Sequence, residues 1–166
     1  AYTHPLGGVI FHPPSRGLHM GTRVGIVIPA FDPDPVRLVG TAEQLVDHLA
    51  PATLRIELDC PDPVTSAALA RLSARTSTVS VHTADRRRGK GAAIAAGFDA
   101  VAPETDVVAF VDADGATDVD AVGALIGTAA QTQQLVVGSR HHPDSTIGHQ
   151  QQPLRRLMSR AFVTLD

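Results

Sequence analysis

The stretch Val107–Thr117 reads VVAFVDADGAT, and its two halves have different chemistry. Val107 to Val111 is an unbroken apolar run, which predicts a strand buried on both faces of a mainly parallel sheet. It stops abruptly at Asp112-Ala113-Asp114-Gly115. In open α/β sheets ligands gather at the carboxyl ends of the strands, so this is where a polar site belongs. Two carboxylates separated by one small residue can turn their oxygens toward a single hard cation. Mg2+ and Mn2+ suit such a donor set, above all when phosphate oxygens complete the octahedron. The plainer alternative is a turn followed by a helix cap, which Asp and Gly also favour.

Working outward, the same grammar recurs. Arg23–Pro29 (RVGIVIP) predicts the first and central strand, followed by a proline-rich turn and a helix over Val36–Leu49. Leu54–Leu58 predicts a strand, Val64–Ala74 a helix and Thr78–His82 another strand. An alanine-rich helix runs to about Val101 ahead of the Val107 strand, and a further helix spans about Asp118–Ala130. Leu135–Val137 predicts a fifth strand, and Pro153–Leu165 a last helix. This alternation defines a three-layer α/β domain with a mostly parallel central sheet.

Composition narrows the classes. A chain of 166 residues holds one domain with a real core, and 43% hydrophobic with 19% charged residues is ordinary for a globular protein. A net charge of −3 excludes a global basic footprint, so no nucleic-acid partner is expected. No apolar run is long enough to span a bilayer. Cys60 is the single cysteine, read as a small semi-buried side chain, and rules out an internal disulfide. Residues 1–19 lack periodicity and read as a leader or tag, leaving 20–166 as the folded domain.

Cations cluster beside predicted strand ends. Asp85-Arg86-Arg87-Arg88-Gly89-Lys90-Gly91 puts three arginines and the only lysine directly before a helix. Backbone N–H groups, the helix dipole and mobile cations make an anion site there, although a solvated basic turn has the same composition. The spacing is not that of a Walker A loop, since Gly91 stands where a magnesium-binding Ser or Thr would be. Gly138-Ser139-Arg140 closes the fifth strand with another cation, and His141, His142 and His149 follow without metal-ligand spacing. On the last helix Arg155 and Ser159 share one face beside Arg156 and Arg160. That helix is either a core-packing element or a membrane-surface helix holding an anionic head group.

Together VGIVIPAF, RRRGKGAAIAAGF, VDADGAT and VVGSR with QPLRRLMSRAF resemble family 2 glycosyltransferases of the GT-A fold. The resemblance is nearest to the polyprenyl-phosphate (dolichyl-phosphate) glucose or mannose synthases and runs from about Val24 to Leu165. It implies a metal-dependent, inverting hexosyltransferase that moves a hexose from UDP or GDP to a polyprenyl phosphate. It implies that Pro29, Phe31 and Asp59 line the nucleoside, that Arg88 and Lys90 approach the nucleotide end of the donor, and that Asp112 and Asp114 are the DxD ligands of Mg2+ or Mn2+. Arg140, Arg155 and Ser159 would receive the acceptor phosphate, with Asp112, Asp114 and Arg140 at the reacting centre. The implied location is cytoplasmic, at the cytoplasmic face of a membrane with peripheral association.

The chain departs from the family pattern at named positions. Asp32-Pro33 replaces the common Asn-Glu, and Asp59-Cys60-Pro61-Asp62 replaces Asp-Asp-Gly-Ser. Ala116 stands where mannose-type relatives carry glutamine, which favours the glucose-type branch. The chain ends soon after the acceptor helix where relatives continue, as a C-terminal truncation would leave it. Two alternatives stay open: a sugar-1-phosphate nucleotidyltransferase, and a non-catalytic sugar-nucleotide-binding module. The first normally carries its basic glycine loop after the first strand, where this chain has AFDPDP.

Overall fold

The computed structural model describes residues 2–3, 9–10 and 21–138. Among the described residues, strands β1 (Tyr2–Thr3) and β2 (Val9–Ile10) pair with each other alone, antiparallel. The main sheet contains β3 (Val24–Phe31), β4 (Thr53–Asp59), β5 (Val79–Ala84) and β6 (Val107–Phe110). All three of its pairings are parallel, in the order β5-β4-β3-β6. Helices α1 (Pro35–Leu49), α2 (Pro63–Arg75), α3 (Lys90–Val101) and α4 (Val119–Thr132) alternate with the strands. A 3-10 turn, Ala102–Glu104, joins α3 to β6.

Period-two alternation sorts each strand's side chains between two faces. Val24, Ile26, Ile28 and Ala30 of β3, with Leu54, Ile56 and Leu58 of β4, join Leu38, Leu45, Leu69, Leu72, Val122 and Ile126 in one apolar core. The other face is covered by α3, which lies close because glycine stands at the contacts. A Cβ on Gly97 would come within 2.4 Å of Val27 Cγ1, and one on Gly25 within 2.9 Å of Val101 Cγ2.

The turns leaving β3 and β4 are two copies of one device. Phe31 and Asp59 are register partners, and each is followed by a residue of positive φ, Asp32 at 46° and Cys60 at 53°. Then come Pro33-Asp34-Pro35 and Pro61-Asp62-Pro63. Asp34 accepts hydrogen bonds from the N–H of Val36 and Arg37, and Asp62 from those of Val64 and Thr65. Each aspartate caps a helix whose first residue is proline, the position where a missing N–H does no harm. The departures at Asp32-Pro33 and Cys60-Pro61 therefore belong to a shared strand-to-helix turn. Cys60 is exposed on that turn, not semi-buried.

Two further expectations need correcting. The Val107 strand is not buried on both faces: Val107, Val108 and Ala109 are half-buried and Phe110 is 48% exposed. The reason is position, for among the described strands β6 lies at one end of the sheet and pairs with β3 alone. The fifth strand, Leu135–Val137, is reduced to an isolated bridge at Val136, with Leu135 and Val137 exposed. The last helix, 153–165, lies outside the described residues.

Candidate active site

The chain moves outward from β3 to β4 and β5, then crosses back to place β6 on the opposite side of β3. That reversal creates a switch point between β3 and β6, where open α/β sheets form their ligand crevice. Pro29 widens it. The last bond from β6 to β3 runs from the Val111 N–H to the Val27 carbonyl, and the next residue of β3 facing that side is Pro29, which has no N–H to offer. A central strand tolerates proline where its ladder partner has already diverged.

The basic segment spans this edge. Cys60 N–H bonds the carbonyl of Ala84 where the segment leaves β5. At the end of β4, Asp59 is almost fully buried and accepts from the Arg88 N–H at 2.7 Å, the Gly89 N–H at 3.1 Å and Arg88 Nε at 2.8 Å. At the end of β3 the Arg87 guanidinium sits 4.3 Å from the centre of the Phe31 ring, a cation–π stack. Beyond β6, Lys90 Nζ meets Asp112 Oδ1 at 2.6 Å and lies 5.5 Å from the Phe110 ring centre. One loop thus touches the carboxyl ends of all four strands.

Gly89 makes the entry to α3 possible, with φ of 87°, a region L side chains avoid. Unlike α1, α2 and α4, each capped by an aspartate, α3 has no side-chain cap. Its first N–H groups face the edge beside Lys90, where the helix dipole favours an anion.

Burial pushes the Asp59 carboxyl up, but the hydrogen bonds from Arg88 and Gly89 outweigh it and hold the pKa below the ordinary aspartate range. Glu57, also on β4, is fully buried. Its carboxylate receives Arg55 Nε, His82 Nδ1 at 2.9 Å and an Arg88 Nη at 2.8 Å. Burial again raises its pKa, and the bonds from Arg55, Arg88 and His82 bring it below the usual glutamate value. Arg88 is thus forked between Asp59 and Glu57, each of which raises its pKa further.

The structure therefore brings Pro29, Phe31, Asp59, Arg88, Lys90 and Asp112 to one edge of the sheet. Asp59 and Arg88 are engaged with one another, whereas Phe31 is 48% exposed. Asp114 lies in the exposed turn after β6, where its Oδ1 accepts from the Ala116 N–H at 3.0 Å. Arg140, Arg155 and Ser159 lie outside the described residues. Glu57 escaped the sequence reading; the only signal was a charged residue at a strand position where a parallel sheet asks for an apolar one.

Among the described residues no group of three or more His, Cys, Asp or Glu could hold a metal by protein ligands alone. Asp112 and Asp114 nevertheless fit an ion such as Mg2+, which takes one or two carboxylates and leaves its other positions to phosphate and water. Both are hard oxygen donors, and Asp112 already holds a cation, the Lys90 ammonium. No described helix is long and apolar enough to cross a membrane.

A parallel α/β sheet with charged side chains gathered at its switch point defines the class, a Rossmann-like GT-A domain. The chain belongs to glycosyl transferase family 2, whose model matches residues 26–165. Among solved structures it is similar to the mannosyltransferase PcManGT from Pyrobaculum calidifontis in complex with GDP-Man and Mn2+. The identity is 16% and the TM-score 0.55, over 69% of this chain and 34% of that one. The chain thus spans about a third of the length of that enzyme. It is also similar to a 4-diphosphocytidyl-2C-methyl-D-erythritol synthase, at 13% identity and TM-score 0.53, over 68% of this chain and 57% of the other. At these identities the likeness concerns the fold. No curated protein sequence matches the chain significantly.

Proposed function

We propose that the protein is an inverting hexosyltransferase that uses a nucleoside diphosphate sugar and delivers the sugar to a polyprenyl phosphate. The observation that carries this reading is the loop Asp85–Lys90, laid across the carboxyl edge so that the only lysine meets the first aspartate of the Asp-x-Asp pair. In this reading Pro29 and Phe31 face the nucleoside, and Lys90 with the open start of α3 receives the diphosphate. Asp59 and Arg88 hold the loop in place beneath it. Asp112 and Asp114 would hold Mg2+ or Mn2+, which when bound supplies positive charge against the diphosphate as it leaves.

A phosphate acceptor is already anionic near neutral pH, so no strong general base is required. One of its oxygens bonds to the anomeric carbon as the bond from that carbon to the diphosphate oxygen breaks, on the opposite face. The nucleoside diphosphate departs and the configuration inverts. Arg140, Arg155 and Ser159 are proposed to position the acceptor phosphate, with the arginines matching its oxygens in a fork. The family membership, together with a structural neighbour solved with GDP-Man, supports the donor class. The dolichyl-type acceptor and the peripheral membrane association rest on the sequence resemblance.

The nucleotidyltransferase alternative has a fold neighbour in the erythritol synthase. It would require a basic loop after β3, where the chain instead makes the Asp34-capped proline turn. Asp114→Asn is the test. Asparagine still accepts from the Ala116 N–H, so the turn survives, while sugar transfer from UDP- or GDP-hexose to a short polyprenyl phosphate falls at least about 100-fold. Nucleotide binding without transfer by the unaltered protein would establish a binding module, and pyrophosphate release from a nucleoside triphosphate with a sugar phosphate would establish the nucleotidyltransferase.

A further inference from the structure

Glu57 is a fully buried carboxylate in the interior of β4, with Pro29 and His82 as its register partners. Its neighbours Ile56 and Leu58 point into the apolar core, whereas Glu57 points to the α3 face, where its Cγ lies 3.3 Å from the place a Cβ on Gly97 would occupy. A valine there would satisfy the strand pattern, and burying a charge costs several kcal/mol before its partners repay it. The partners are specific. Arg55 and His82 approach from β4 and β5, and Arg88 reaches in from the loop.

We infer that Glu57 is a positioning residue for the donor diphosphate: through Arg88 it fixes the loop that presents Lys90 to the crevice. The inference rests on the glycosyltransferase reading of that crevice. Arg88 has one nitrogen on Asp59 and another on Glu57, so its planar guanidinium is held at two points. Its backbone N–H and that of Gly89 are held by the same Asp59. Lys90 follows directly, as the first residue of α3. Without Glu57 the Arg88 fork loses one tine, and the loop can pivot about Asp59.

The test exploits the loop's own arginines. Glu57→Gln keeps shape but removes the charge. Trypsin should nick the variant after Arg86–Arg88 about tenfold faster than the unaltered protein, while cleavage at the helical Arg37, Arg71 and Arg75 stays the same. Its dissociation constant for GDP or UDP with Mn2+ should rise about tenfold or more, at a temperature where circular dichroism shows full folding. His82→Gln, which leaves Arg88 untouched, should change neither. If Glu57→Gln does not fold, Arg88→Lys keeps the charge and the cleavage site but not the fork, and should show both effects. Unchanged loop cleavage and unchanged nucleotide affinity in the folded variant overturn the inference. Uniformly faster cleavage at every site also overturns it, because that is general destabilisation. If the unaltered protein binds neither nucleotide, the glycosyltransferase reading fails, and loop cleavage alone still decides whether Glu57 orders the loop.

Discussion

Lys90 Nζ stands 2.6 Å from Asp112 Oδ1, so the lysine proposed to meet a diphosphate is the counter-ion of the carboxylate proposed to hold a metal. Both side chains are about half exposed, and such pairs contribute only about 0.2–1 kcal/mol. The contact is therefore weak enough to open when ligands arrive. It keeps Asp112 neutralised without closing the site.

Lys90→Met should separate the two roles. Without its competing ammonium, Asp112 should bind Mn2+ alone about two- to fivefold more tightly, the equivalent of the modest energy of an exposed pair. Binding of GDP or UDP with Mn2+ should weaken by about tenfold, because the phosphate loses its cation. Isothermal titration of metal alone and of metal with nucleotide reads the two effects. Weaker binding in both titrations would mean that Lys90 does not compete for Asp112.

Asp59→Asn should destabilise the fold more than its small size suggests. The carboxylate accepts from two backbone N–H groups and from Arg88, and an amide turns an –NH2 toward one of these donors. Breaking one member of a buried charged set costs roughly 3 kcal/mol. Urea unfolding monitored by circular dichroism checks it, and a loss below about 1 kcal/mol would contradict the assigned role.

Acid should weaken the protein through the same pair. Asp59 and Glu57 both have pKa values lowered by folding, so their contribution is fully present above the unfolded values, near 3.9 and 4.3 for free Asp and Glu as approximate references. It is lost as the pH falls through the lower folded values. Thermal midpoints should decline more steeply below about pH 4.3 in the unaltered protein than in Glu57→Gln. Parallel declines would remove Glu57 from the account.

Gly97→Ala should be costly for a steric reason. The new methyl would come within 2.4 Å of Val27 Cγ1, and Val27 is fully buried. Overpacking of this kind costs about 1–3 kcal/mol. Val27→Ala added to Gly97→Ala should recover part of the loss, measured as a double-mutant cycle in urea. Independent effects of the two changes would show that the helix moves away and leaves Val27 in place.

The strand and helix order and the sense of the sheet were legible in the chain because they depend on neighbours a few residues apart. Apolar runs such as VGIVIP call for buried strands, and Asp34-Pro35 and Asp62-Pro63 start helices through their own side chains and rings. The Asp-x-Asp turn and the arginine-rich loop were visible for the same reason. Their meeting was implied by the family resemblance alone and not by any local pattern. Parallel strands join residues far apart along the chain, so the Asp59–Arg88 and Glu57–Arg88 bonds, and the ion pair of Lys90 with Asp112, exist only once β4, β3 and β6 lie side by side. The half-exposed state of β6 was decided the same way, by its place at one end of the described strands: its apolar residues called for a strand, and the order of pairing determined how much of that strand is covered.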